Sequence, residues 1–232
     1  MSVARLSATR RLPAEARGSR IRELQERVLR MQGSAATRAL PVVAPLAPLF
    51  TPRTGGAYAV DSPSLAMTLL AAPSQAGEWV AVIGAADFGL AAAAGFGVDL
   101  SRTIAVPEPG ERWPDVVAAL TEIVSVIMVR PGRVTEHQAA RLRTRLRQRD
   151  AMLISWGDWP RCDARLSIES SCWDGLGRGH GRITGRRAVV SVRRSGRPSG
   201  RLSLWLPGPD QRVDTADPVI TERPDRFVAE AV

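Results

Sequence analysis

The chain has 232 residues, enough for one domain with an apolar core and some additional segments. Apolar residues make up 44% of it, which excludes wholesale disorder. The formal charge of +9 indicates either an anionic partner, with nucleic acid as the first candidate, or a basic surface that maintains solubility. All 32 basic residues are arginine, so any site that requires a lysine is excluded, and two cysteines and two histidines predict neither a zinc site nor a disulfide framework.

The N-terminal region predicts an amphipathic helix and no secretory signal. The arginines of residues 1–20 are not followed by an apolar run, so we expect a cytoplasmic protein. From Pro13 to Gly33 the sequence suits a helix, with proline at its start and glycine at its end. One face of this helix is apolar at helical spacing, through Ile21, Leu24, Val28 and Met31. That face either packs on the chain's own domain or docks a partner, including a second copy.

Residues 34–56 are rich in proline, alanine and glycine and are predicted to form a linker. Residues 57–195 then alternate short apolar runs with segments of helical pattern. The predicted strands are Ala57–Val60, Trp79–Ile83, Thr103–Val106, Val124–Val129 and Met152–Trp156. The predicted helices are Ser64–Ala71, Ala91–Gly97, Trp113–Glu122 and Thr135–Gln148. This alternation predicts an α/β domain with a mostly parallel sheet and helices on both faces.

The last of these helices has a defined start and two distinct faces. Thr135 and Gln138 predict a capping box, and Ala139, Leu142 and Leu146 form the stripe expected to face the sheet. Arginines cover most of the remaining surface, at positions 141, 143, 145, 147 and 149. These arginines form either a solvated face or a contact with phosphates or with an acidic partner.

Two segments with alternating polarity, Arg165–Trp173 and Arg187–Arg194, predict a C-terminal β-hairpin. Residues 196–232 contain many prolines, aspartates and arginines and are predicted to form a mostly disordered tail. One apolar stretch interrupts this tail, at Leu204, Trp205 and Leu206. It either docks a partner or folds back onto the edge of the sheet, and partner docking is the favoured interpretation.

The stretch "GFGVDLSRTIAVPEPGE" resembles the RecA family, in which a "GVD" turn leads into a strand and then into a loop that ends in "GE". Three further stretches fall in RecA order. "GAYAVDSPSLAMTLLAA" aligns with the first strand, the P-loop and the first helix, "GEWVAVIGAA" with the strand of the catalytic glutamate, and "VSVIMVRP" with the Walker B strand. The resemblance covers about residues 55–195 and implies a RecA-like core.

The residues that the RecA ATPase requires are missing from the aligned positions. The P-loop position reads "VDSPSLA", without glycines or lysine, and Pro63 removes a backbone N–H from the phosphate cradle. Ser64 keeps a hydroxyl, for which a helix-capping role is favoured. The catalytic glutamate aligns with Ala86, one residue before Asp87, and the Walker B acid aligns with Arg130. We therefore expect a RecA-like scaffold that binds no nucleotide or metal cofactor and is not an enzyme.

A narrower resemblance rests on "WDGLGRGHGR", which follows an arginine-rich helix and the strand end "ISWGDWP". These features resemble the ImuA-prime form of the ImuA-type proteins. The resemblance implies a non-catalytic adaptor of a damage-inducible, SOS-linked mutasome, which associates with the nucleoid when engaged at damage. Its partner would be an ImuB-type homologue of Y-family polymerases, and indirectly a DnaE-type error-prone polymerase and the sliding clamp, in translesion synthesis and mutagenesis.

Two other functions remain open from the sequence, a DNA-binding RecA paralogue and a SulA-like inhibitor of cell division. The first would use a basic region around the glycine-rich stretch "GLGRGHGRITGRR", where arginines could clamp phosphates without reading the base sequence. The candidate DNA contacts are Arg178, Arg182, Arg186, Arg187, Arg193 and Arg194. The structural alternative is a hairpin turn that needs its glycines for positive φ angles.

Overall fold

The computed structural model of the chain describes residues 37–176, 181–194 and 197–217. The predicted N-terminal helix, with Ile21, Leu24, Val28 and Met31, lies outside these ranges, and so does Arg178. Within the described ranges, no helix combines the length and the apolar character that crossing a bilayer requires.

Four α-helices and nine strands are found in the described ranges. The helices are α1 Pro63–Gln75, α2 Leu90–Gly95, α3 Trp113–Leu120 and α4 Glu136–Gln148. The strands are β1 Ala57–Val60, β2 Val80–Ile83, β3 Thr103–Val106, β4 Val126–Val129, β5 Met152–Trp156, β6 Ala164–Leu176, β7 Gly181–Arg194, β8 Arg197–Trp205 and β9 Asp214–Thr215.

All nine strands join one sheet in the order β3-β2-β4-β5-β1-β6-β7-β8-β9. The pairs from β3 to β6 are parallel, and those from β6 to β9 are antiparallel. The prediction of an α/β fold with a mostly parallel sheet and a C-terminal β-hairpin is therefore confirmed. The hairpin strands are longer than predicted, because β6 continues to Leu176 and β7 begins at Gly181.

Helices cover the two faces of the parallel strands and divide the core into two apolar clusters. The first cluster contains Leu65 and Leu69 of α1, packed with Val82 and Ile154 of the sheet. The second cluster lies under α3 and α4 and contains Val117 and Leu146, among others. Strands β1, β2 and β4 are buried along their whole length, as expected of strands covered on both faces.

Helix α4 begins as its sequence predicts. The Thr135 hydroxyl accepts the N–H of Gln138 at 3.2 Å, and the Gln138 side chain accepts the N–H of Thr135 at 3.0 Å, which completes the capping box. The predicted stripe of Ala139, Leu142 and Leu146 is buried in the second cluster. Capping and periodicity act within one or two turns, which explains why the sequence was sufficient here.

Two segments that composition had assigned to irregular structure pack on the core instead. The linker predicted for 34–56 is wrong for residues 37–56, where Leu40, Leu46 and Phe50 are buried in the first cluster. The disordered tail predicted for 196–232 is wrong for residues 197–217, which form β8, β9 and their connection. In both segments, a few well-spaced apolar side chains bury enough surface to order a chain rich in proline, glycine and arginine.

Candidate functional site

The turn after β1 lies at the carboxyl end of the parallel strands, the edge at which α/β proteins bind ligands. Its polar groups are bonded within the chain. The Asp61 carboxylate accepts the backbone N–H of Ile168 at 2.9 Å, and the Ser62 hydroxyl caps α1 by accepting the N–H of Leu65 at 3.3 Å. Pro63 occupies the first position of the helix, so this residue offers no N–H. Ser62 is thus the cap that the sequence analysis had assigned to Ser64.

An ion pair lies at the same edge, at the ends of β2 and β4. One Arg130 guanidinium nitrogen lies 2.6 and 2.8 Å from the two carboxylate oxygens of Asp87. The guanidinium carbon lies 4.1 Å from the centroid of the Trp156 ring, at the end of β5, in a cation–π contact. The side chains of Arg130 and Asp87 are 44% and 64% exposed, so the pair stands at the surface of this edge.

The ion pair joins one of the two positions aligned with RecA-type acids to the residue next to the other. Arg130 stands at the aligned Walker B position, and its partner Asp87 is the residue next to Ala86. The carboxylate of Asp87 is therefore neutralised by a cation from the neighbouring strand, and this hydrogen bond to Arg130 lowers the pKa of Asp87 below its ordinary value. Within the ranges described, no group of three or more histidine, cysteine, aspartate or glutamate residues could hold a metal ion.

Replacing Arg130 by alanine should raise the pKa of Asp87 towards its ordinary value, because the hydrogen bond and the nearby charge are both lost. The lowered pKa contributes stability above the unfolded-state pKa, and this contribution disappears as pH falls through the folded-state pKa. NMR titration of the side-chain carboxyl carbon measures the change. Asp99 is the control, since its pKa is lowered by hydrogen bonds from Ser101 and should not change in the variant. An unchanged pKa of Asp87 would show that the ion pair does not form.

The arginines predicted to contact DNA do not share one surface. Successive side chains of a strand point to opposite faces, and Ala188, Val190 and Val192 of β7 face the first cluster. Because Arg186 and Arg194 are an even number of residues from these three, they lie on the same face of the sheet, the one that α1 covers. The opposite side carries Arg187 and Arg193. These arginines therefore lie in one part of the sheet but on opposite faces, because successive residues of a strand alternate, and their contact with DNA stays a prediction.

The environments of these arginines also differ. The Arg186 side chain donates to the Ser171 hydroxyl at 3.0 Å, stacks on Trp173, and has its pKa lowered by burial, which the nearby Asp61 charge partly offsets. The Arg187 side chain makes two hydrogen bonds of 2.9 Å to Asp174, which raise its pKa. The guanidinium of Arg194 lies over the ring of Phe50, and Arg182 and Arg193 are exposed.

The apolar residues assigned to partner docking are not available as a group. Leu204 and Leu206 are fully buried in the first cluster, with Leu204 in β8 and Leu206 directly after it. Trp205 is half-buried on the other side of the sheet, with the Arg187 guanidinium 5.7 Å from its ring. The stretch therefore folds back onto the sheet, which was the alternative interpretation, and the prediction that both leucines dock a partner is wrong.

The arginines of α4 mostly form ion pairs with other parts of the core. Arg143 bonds to Asp163 at 3.1 Å, and Arg145 and Arg149 reach the carboxylate of Glu122 at 2.7 and 2.9 Å. The interpretation of this helix surface as a solvated face accounts for these three arginines. Arg141 is exposed and has no carboxylate partner within the described part of the chain.

Sequence reasoning missed Trp156 and the acceptor role of Asp87. Trp156 ends β5 and Asp87 lies four residues after the end of β2, and the carboxyl ends of neighbouring parallel strands meet at one edge. That rule could have placed both side chains near Arg130, once β2, β4 and β5 were known to be neighbours.

Comparison with known proteins gives a family match and a curated relative. The family model of the MT3502 N-terminal domain matches residues 45–161, which are half of the chain and include the Arg130–Asp87 pair. The uncharacterized protein Rv3395c of Mycobacterium tuberculosis is 35% identical over 107 residues, which are 45% of this chain and 52% of the relative. The chain thus spans about half the length of the curated relative that it matches.

Proposed function

The chain belongs to the MT3502 N-terminal domain family, and we propose that it is a non-catalytic adaptor that supports error-prone translesion DNA synthesis by binding an ImuB-type protein. The observation that carries the non-catalytic part is the Arg130–Asp87 ion pair at the carboxyl edge of the sheet. Phosphoryl transfer at such an edge needs a free carboxylate for the metal ion and cations for the phosphates. Here one cation and one carboxylate neutralise each other.

The turn after β1 supports the same proposal. A phosphate cradle uses backbone N–H groups that have no other partner, followed by a lysine. In this turn the Ser62 hydroxyl takes one of the N–H groups at the start of α1, and proline removes another. The Asp61 carboxylate adds a negative charge, held in place by Ile168. Each feature opposes the binding of a triphosphate. In this proposal the protein therefore acts through surfaces that bind other proteins and not through a nucleotide pocket.

The choice of partner follows from the resemblance to ImuA-prime proteins, through "WDGLGRGHGR" and "ISWGDWP". In this proposal the ImuB-type protein binds the chain directly, and a DnaE-type polymerase and the sliding clamp join through it. The distribution of arginines favours an adaptor over a DNA-binding paralogue. The candidate DNA contacts lie on opposite faces of the sheet, and Arg187 is already paired with Asp174. A phosphate strand needs its cations along one surface.

Two measurements on the full chain test the proposal. Calorimetric titration with Mg-ATP should give no saturable binding stronger than about 1 mM, because the pocket lacks the cations that would repay desolvation of the phosphates. Co-purification with the ImuB-type protein of the same organism should give a stoichiometric complex. Micromolar ATP affinity with turnover would overturn the non-catalytic part. Absence of the complex at micromolar concentrations would overturn the choice of partner and leave the first result in place.

A further inference from the structure

The antiparallel part of the sheet has one face that the described helices leave open. The cluster under α3 and α4 contains residues of β1, β2, β4 and β5 but none of β6, β7 or β8. We call the side of β6–β8 that points away from α1 the outer face. It carries Arg165, Arg187, Val189, Arg193, Arg201 and Trp205. Antiparallel sheets commonly leave one face to solvent, so exposure alone identifies no partner.

On the outer face, not every arginine pairs with a carboxylate of the described part of the chain. Arg165 and Arg193 lie directly opposite each other on β6 and β7, an arrangement of like charges that destabilises a strand pair. Arg165 has a carboxylate partner in Asp158, at 2.8 Å. Arg193 is exposed and finds no carboxylate among the residues that the structure describes. Within the described ranges, one member of the opposed pair therefore lacks a counter-charge.

A cleft next to Arg165 extends this basic region. It has a volume of about 440 Å³ and lies between the loop before α4 and the loop after β5. Arg133 lines it from the first loop, is exposed, and has no carboxylate partner in the described ranges. Arg193 and Arg133 thus stand on either side of the Arg165–Asp158 pair as two cations that an anionic partner could neutralise.

From this arrangement we infer that the outer face and the adjoining cleft dock an acidic segment of a protein partner, whose carboxylates pair with Arg193 and Arg133. A protein fits better than nucleic acid because carboxylates stand among the arginines. The side chain of Asp158 is 95% exposed, and Glu169 pairs with Arg201 at 2.8 Å. A phosphate strand would face these like charges, whereas a protein can offer cations to them. The half-buried Trp205 and Val189 add apolar contact area.

This inference rests on the proposed adaptor role, and charge-reversal variants of the full chain test it. Arg193→Glu and Arg133→Glu change exposed residues and should leave the circular dichroism spectrum unchanged. Arg141→Glu is the matched control, because it makes the same charge change on α4, away from the outer face. The probes are a fluorescent peptide that combines glutamates with lysines able to face Asp158 and Glu169, the ImuB-type protein, and a fluorescent oligothymidine strand, each followed by fluorescence anisotropy or calorimetry.

We expect Arg193→Glu and Arg133→Glu each to weaken peptide and protein binding at least about tenfold, because one attractive contact becomes repulsive, while Arg141→Glu stays within about twofold of the wild type. The outer-face variants could weaken peptide binding more than Arg141→Glu does while the ImuB-type protein binds neither the wild type nor any variant. That result would support the docking surface and overturn the proposed partner. Equal effects of Arg193→Glu and Arg141→Glu on both probes would overturn the inference. Tighter binding of oligothymidine than of the peptide, lost in Arg193→Glu, would overturn it in favour of nucleic acid.

Discussion

Replacing Leu204 by alanine should lower the free energy of unfolding by about 2–5 kcal/mol, because the substitution opens a cavity in a packed core. Leu204 is fully buried in the first apolar cluster, and it faces Ala188 across the β7–β8 pair. At this chain length each kcal/mol corresponds to roughly 2–4 °C, so the midpoint of thermal unfolding should fall by several degrees or more. Urea unfolding followed by circular dichroism measures the loss.

The neighbouring residue provides the control for this prediction. Ser203 lies on the outer face, so Ser203→Ala should change stability by no more than about 0.5 kcal/mol. The comparison also separates the two interpretations of the apolar stretch. A stretch that docks a partner would lose partner capture in Leu204→Ala while the unfolding transition stayed in place. That outcome would contradict the burial of Leu204 in β8.

Gly84→Ala should destabilise the fold by about 2–4 kcal/mol and disturb the Arg130–Asp87 pair, because backbone strain and a steric clash add. Gly84 follows β2 with a φ of +72°, which costs a residue with a Cβ about 1–2 kcal/mol. A Cβ at this position would lie 2.8 Å from the backbone oxygen of Arg130. A backbone atom cannot rotate away as a side chain can, so the end of β4 must move. Urea unfolding measures the stability, and the pKa of Asp87 reports the change at the ion pair.

Gly77 provides a matched control, because it separates backbone strain from the clash. Its φ is +93°, yet a Cβ there would meet no heavy atom within 4 Å. Gly77→Ala should therefore cost only the conformational part, about 1–2 kcal/mol, and leave the pKa of Asp87 unchanged. Equal losses in the two variants would mean that the Arg130 backbone does not restrict the position of Gly84.

The parallel half of the fold was predictable because its signals are local. Four-residue apolar runs, such as Val126–Val129, have the composition of strands buried on both faces. Thr135 and Gln138 lie three residues apart, so their reciprocal capping could be predicted from the sequence. The same reasoning failed for residues 37–56 and 197–217. In those segments proline, glycine and arginine predict irregular chain, and the order comes from burial against distant elements.

By itself the sequence determined the alternation of strands and helices, the start of α4 and the absence of any lysine for a phosphate site, since these depend on composition and short spacings. Only the tertiary structure decided that Arg130 meets Asp87, 43 positions away, because that contact requires β2 and β4 to be neighbours. It also decided that Leu204 faces the core while Arg193 faces outwards. A strand alternates its side chains with a period of two, and the face that each one occupies is defined only once pairing fixes the register.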